Sequence, residues 1–182
     1  MLEKQSFINK NPLMNYDEID GDLIELTKEG RFQIIAHGCN CFCRMKRGIA
    51  PQMAEAFKCD YFELEADMYE GDPNKLGQID WETLHIREDG YVIRTNKSYP
   101  DTLKIVVINA YTQYEYDTTK KPFDYEAFTL CMRKIALTFP GGHIGLPKIG
   151  SHLAGGDWNQ IKQIIQRELC PKMLVTVVNY IS

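Results

Sequence analysis

Pro147-Lys148-Ile149-Gly150-Ser151-His152-Leu153-Ala154-Gly155-Gly156-Asp157 is the stretch that decides the fold class of this chain. A short apolar run, residues 143–147, ends at it, and a loop with three glycines follows. Asp157 then opens a segment that places Trp158, Ile161, Ile164, Ile165 and Leu169 on one helical face. Asp157 and Gln160 have the spacing of a capping box, and Pro171 stops the helix. Strand, glycine loop and helix in immediate succession form the unit of an α/β sheet. Backbone N–H groups left free in such a loop converge with the positive end of the helix dipole and make an anion site. Glycines at 150, 155 and 156 permit positive φ and close approach. The pattern is neither a Walker loop nor a GxGxxG fingerprint, and an ordinary β–α turn has the same grammar.

A second junction of this kind lies upstream. The strand-like run 32–37 leads into His37-Gly38-Cys39-Asn40, residues 41–47 follow, and Gly48-Ile49-Ala50-Pro51 enters a helix to about Lys58. Pro51 suits a first helical turn, where its missing N–H is not needed. Two such loops at one end of a sheet can clamp a pyrophosphate, since ligands of open α/β sheets sit outside the carboxyl ends of the strands.

The rest of the chain agrees. Residues 104–109 form the clearest strand, 83–87 and 91–95 a hairpin around Glu88-Asp89-Gly90, and 124–139 an amphipathic helix ended by Pro140-Gly141-Gly142. Residues 174–181 close the chain as a strand, and a second short helix is expected over 61–70. Central strands that are apolar on both faces, alternating with helices, predict an α/β domain with a buried mixed sheet. Residues 1–19 read as an irregular N-terminal arm and 20–182 as a single domain.

With 182 residues, 44% hydrophobic and 25% charged, the chain has the composition of a globular domain. Its net charge of −4 argues against sequence-blind binding to nucleic acid. No run of about 18 apolar residues predicts a membrane helix, and the first 16 residues lack a secretory h-region. Six cysteines, three of them alternating at 39, 41 and 43, are not spaced as a disulfide framework, so a reducing, cytoplasmic setting is expected. The Cys39-x-Cys41-x-Cys43 spacing also lacks the pair geometry of a structural zinc site, and no metal is expected. A cysteine nucleophile activated by Arg44, Lys46 and Arg47 is a further reading of the same segment.

Single residues carry two readings each. Asp22 suits the exocyclic amine of an adenine, or a turn that bonds its own backbone. Asn40 suits a ribose hydroxyl or a turn, and Asp157 a helix cap or a second acid or base. His152 is the one imidazole inside a phosphate-type loop and can exchange a proton with a phosphoryl group, whereas His37 lies in an apolar strand and reads as a core histidine.

Taken together these residues resemble a macrodomain, over Gly21 to about Tyr180. The anchors are Gly21-Asp22-Leu23, His37-Gly38-Cys39-Asn40, Gly48-Ile49-Ala50, Ile108-Asn109-Ala110-Tyr111-Thr112-Gln113 and the loop from Pro147 to Trp158. The nearest subgroup is the ADP-ribose-1″-phosphate phosphatase-like one, which also includes relatives that remove ADP-ribose from proteins. The resemblance implies a three-layer α/β/α fold with a central mixed, mostly parallel sheet, acting without a cofactor, as a monomer. It implies ADP-ribose or its 1″-phosphate as the ligand. Asp22 and the Leu23 amide would hold the adenine, Asn40 the distal ribose, and Gly48, Ile49 and Ala50 would cover the diphosphate. Ile149, Gly150, Ser151, His152, Leu153 and Ala154 would cradle its phosphates.

Some positions depart from the family pattern. Met45-Lys46-Arg47 precede a single Gly48 where many relatives have a glycine run. The catalytic lysine and aspartate of relatives that hydrolyse glutamyl-ADP-ribose are absent, Asn109-Ala110-Tyr111 and Ala154 standing in their places. His152 replaces a common glycine and favours phosphatase chemistry. The expected activity is therefore removal of the terminal phosphate, with Asn40, His152 and Asp157 as candidate catalytic groups. The alternatives are a non-catalytic ADP-ribose-binding module, an ADP-ribosyl hydrolase, and an unrelated nucleotide-binding α/β protein.

Overall fold

Strand period decides the layers. In β2 (Ile34–Asn40), Ile34 and Ala36 face one side of the sheet while Ile35 faces the other, and β5 (Leu103–Gln113) divides Ile108 and Ala110 from Ile105 and Val107 in the same way. The first set packs with α3 (Tyr125–Thr138) and α4 (Trp158–Glu168), through Phe128, Ile135, Ile161 and Ile165. The second packs with α1 (Leu23–Lys28) and α2 (Ala50–Phe57), through Leu23, Ile24, Met53 and Phe57. Two separate cores, one on each side of one sheet, make a three-layer α/β/α sandwich. The computed structural model from which this follows describes residues 8–61, 69–95 and 97–181.

The remaining strands are β1 (Tyr16–Asp20), β3 (Ile79–Ile86), β4 (Val92–Arg94), β6 (His143–Pro147) and β7 (Leu174–Asn179). The order across the sheet is β1-β7-β6-β2-β5-β3-β4. The first five strands run parallel, and β3 and β4 continue antiparallel. The sheet is mixed and mostly parallel, as the resemblance implies.

Several elements differ from the sequence reading: it assigned neither α1 nor the first four residues of β3. Residues 16–19, read as the end of an irregular arm, belong to β1, which pairs with β7 from Tyr16↔Val175 to Asp20↔Asn179. Tyr16-Asp17-Glu18-Ile19-Asp20 shows little apolar alternation because it is an edge strand, where charge is tolerated. Its Glu18 is held by Tyr16 Oη at 2.7 Å and Lys162 Nζ at 2.8 Å. Strands β2 and β5 both run past their predicted ends, to Asn40 and Gln113, and these extensions carry the loops of the site. Residues 1–7 of the arm, and 62–68 of the expected second helix, lie outside the described residues.

Candidate functional site

Strands β2 and β6 are parallel neighbours, yet the chain leaves β2 through α2 on one face and β6 through α4 on the other. Loops that diverge from adjacent strand ends open a crevice at this switch point. The crevice is a cleft of about 890 Å³, lined by both loops, the start of α1, and the ends of β5 and β7.

The first loop is shaped by Asn40, which is buried at the end of β2. Its Oδ1 accepts from the backbone N–H of Phe42 and of Arg44, both at 3.1 Å, and its Nδ2 donates to Arg44 O at 3.0 Å. This short-range closure turns the chain through Cys43, whose φ is +55°. Phe42 packs edge-on against Tyr114 and Tyr116, with ring centroids 5.4 and 5.5 Å apart, and Tyr114 Oη donates to Gly71 O at 2.9 Å. Arg47 donates to Thr118 Oγ1 at 2.6 Å and ties the loop to the segment after β5. Among the described residues no side chain caps the start of α2, whose first turn therefore lacks a capping acceptor there.

The second loop depends on Gly150, at φ +77°. A Cβ there would lie 2.3 Å from the Phe123 ring, so no other residue fits. The backbone N–H groups of Gly150, His152, Leu153 and Ala154 donate to no acceptor among the described residues. Four unpaired donors in one turn form an anion cradle. The loops nearly meet: a Cβ on Gly48 would lie 3.9 Å from Leu153 Cδ1.

Asp22 lines the cleft, as do Gly21 and Tyr180. It caps α1 with Oδ1 alone, accepting from Ile24 N at 2.8 Å and Glu25 N at 3.2 Å. Oδ2 accepts nothing from the described residues. The cleft's other charges are all positive: Arg44, Lys46, Arg47 and Lys148 line it, and Asp22 is its sole carboxylate among the described residues. A chain of net charge −4 has thus gathered cations at one concavity.

Eleven of the expected site residues line this one cleft: Asp22, Leu23, Asn40, Gly48, Ile49, Ala50, Ile149, Gly150, His152, Leu153 and Ala154. Two do not. Ser151 turns its Oγ to Lys148 O at 3.0 Å. Asp157 is engaged at the start of α4, accepting from Asn159 N at 2.8 Å on Oδ1 and from Gln160 Nε2 at 3.3 Å on Oδ2. The cap reading describes these contacts, which turn the carboxylate to its own helix. His152 is exposed, with Nδ1 3.0 Å from Ser151 Oγ, which leaves Nε2 for the cleft. His37 is a core histidine 2.7 Å from Asn109 Oδ1, and burial pulls its pKa down to about 4.

Lys148, Gln113, Tyr116 and Tyr180 also line the cleft and were given no role from the sequence. Lys148 lay inside the quoted loop, and a lysine next to an anion cradle was a signal that could have found it; Gln113 closed a quoted anchor. Tyr116 and Tyr180 had no such signal.

No protein-family model matches the chain. An uncharacterized 17.5 kDa protein from the tk-vs intergenic region of Enterobacteria phage T4 is 32% identical over 171 residues, which span 89% of this chain and 94% of that protein. The macrodomain of Thermus aquaticus DarG superposes with a TM-score of 0.56 at 18% identity, over 92% of this chain and 98% of its own. Thermosipho africanus DarTG, solved in complex with ADP-ribose, gives a TM-score of 0.64 at 14% identity, over 95% of this chain and 42% of that one. The chain belongs to the family of the phage T4 protein, and its fold is that of a macrodomain.

Proposed function

We propose that the cleft binds ADP-ribose and that the protein hydrolyses the terminal phosphate of ADP-ribose 1″-phosphate. The observation that carries the ligand is the pairing of four unpartnered amides with a cationic lining, in an acidic chain, at the switch point of a macrodomain fold. A dianionic diphosphate satisfies both. It would lie between Gly150–Ala154 and Gly48–Ala50, with the adenine amine on Asp22 Oδ2 and the ring at the Leu23 amide. The ADP-ribose complex of the DarTG neighbour supports this choice of ligand.

In the hydrolytic step a water attacks the terminal phosphorus and the bond from phosphorus to the ribose O1″ breaks. His152 delivers a proton to that departing oxygen, and the products are ADP-ribose and inorganic phosphate. Asn40 acts by holding the Cys41–Arg44 turn against the distal ribose. Its one uncommitted Nδ2 hydrogen remains for a hydroxyl.

Phosphorus NMR of ADP-ribose 1″-phosphate with the protein tests this. The phosphomonoester signal should be replaced by inorganic phosphate, and His152→Ala should abolish turnover while ADP-ribose binding persists. Turnover that survives in His152→Ala removes the histidine from the chemistry. Broadened diphosphate signals without hydrolysis would select a binding module, a reading favoured by the commitment of the Asn40 carboxamide to its own loop. Release of ADP-ribose from a modified macromolecule, without phosphate, would select an ADP-ribosyl hydrolase.

A further inference from the structure

The cation beside the thiol of the first loop is not one of its sequence neighbours Arg44, Lys46 or Arg47. It is Lys75, which is 6% exposed, and whose Nζ donates to Cys41 O at 3.3 Å and to Cys43 Sγ at 3.5 Å. Lys75 makes no ion pair among the described residues. Its charge also acts on the nearby Asp80 carboxylate, and a thiolate at Cys43, in direct hydrogen-bond contact with the buried ammonium, would be stabilised by it. On its other side the Cys43 sulfur lies 3.8 Å from Tyr111 Oη, which donates to Asp80 Oδ2 at 2.7 Å. Asp80 is 5% exposed, and its Oδ1 is buried without a hydrogen-bond partner. Burial raises the Asp80 pKa to about 6, so this carboxylate is disposed to take up a proton.

Cys43 also stands apart from the other cysteines. The other five are buried, and burial pushes their thiols up. Cys43 is half-buried and lines the cleft.

We propose that Cys43 is a covalent-modification site in the wall of the cleft, where it forms mixed disulfides with small anionic disulfides that enter between the two loops. The adduct and the cleft ligand then exclude one another, a consequence that rests on the ADP-ribose reading above. In the step, Cys43 Sγ attacks one sulfur of R–S–S–R. A Cys43–S–S–R bond forms, the original S–S bond breaks, and RS⁻ departs. The thiol proton passes to the Tyr111 oxygen as Tyr111 passes its own to Asp80.

The test uses the dianionic disulfide dithiobis(nitrobenzoate) on the native protein, following release of the coloured thiolate and mapping the adduct by mass. One equivalent should be released ahead of the rest, from Cys43, and Cys43→Ser should lack it. Lys75→Met should slow it roughly tenfold. Tyr111→Phe, which keeps the ring packing, should slow it as well. A first equivalent that maps elsewhere, or that keeps the wild-type rate in both Lys75→Met and Tyr111→Phe, overturns the proposal. ADP-ribose should protect Cys43. If labelling maps to Cys43 but ADP-ribose neither binds nor protects, the ligand reading fails and the thiol assignment stands. If ADP-ribose binds while Cys43 reacts no faster than the buried thiols, the reverse holds.

Discussion

Asn40 holds both backbone groups of Arg44: its carboxamide accepts from Arg44 N at 3.1 Å and donates to Arg44 O at 3.0 Å. The first cleft loop therefore has its shape before any ligand arrives. Asn40→Asp keeps the acceptor but sets a carboxylate against the Arg44 carbonyl, opening the loop. ADP-ribose affinity should fall by about 1–3 kcal/mol, as for a buried partner left unpaired. Calorimetric titration reads this directly, and unchanged affinity would show that the loop does not contact the ligand.

Asp22 caps α1 with one oxygen and leaves the other as the acceptor proposed for the adenine amine. Asp22→Asn retains a capping oxygen for Ile24 and Glu25, so the unfolding midpoint should barely move. It replaces the acceptor proposed for the adenine amine, and ADP-ribose affinity should drop by about 1–2 kcal/mol. Asp22→Ala should lose about another 1 kcal/mol of stability through the cap. Equal ADP-ribose binding by wild type and Asp22→Asn would place the adenine elsewhere.

Gly150→Ala combines two penalties, a side chain at φ +77° and a Cβ driven to 2.3 Å from the Phe123 ring. Stability should fall by about 2–4 kcal/mol, from left-handed strain plus overpacking. Urea denaturation checks it. A loss below about 0.5 kcal/mol would mean that Phe123 swings aside and the loop is more pliant than its packing indicates.

Two buried groups titrate in opposition. Burial depresses the His37 pKa from 6.5 to about 4, so between those values the unfolded chain binds a proton that the native chain refuses. Acidification through that window should cost about 3 kcal/mol. Burial raises Asp80 from 3.8 to about 6, so there the native chain holds the extra proton and acidification stabilises by a similar amount. The wild type should thus show little net dependence from this pair. Asp80→Asn removes one arm: it should gain about 1–3 kcal/mol at neutral pH and lose that advantage on acidification to about pH 4. Parallel stability curves for the two proteins across that range would contradict the assignment.

Strands that bury both faces were legible because every residue of such a run is apolar, whereas β1 was not. Three of its five residues are acidic, and it is stabilised by a ladder to β7 some 160 positions away. The ends of β2 and β5 were missed because the polar but buried His37 and Asn109, and the glycine at 38, interrupt the apolar runs before the strands end. Helix starts fared better at Asp124 and Asp157, which each cap within three residues of themselves, whereas Asp22, read as a turn residue, proved to cap the unassigned α1.

Sequence alone determined an α/β domain with a buried mixed sheet and two glycine loops, because periodicity, caps and positive-φ positions act over a few residues; the three layers came only as what the family resemblance implies. Only the tertiary structure decided that Asp22 faces the cleft while Asp157 faces its own helix. It alone brought Lys75 and Tyr111 to the sulfur of Cys43, 32 and 68 residues away. Such juxtapositions arise from the packing of the sheet, and no local pattern encodes which distant side chains that packing will leave unpaired.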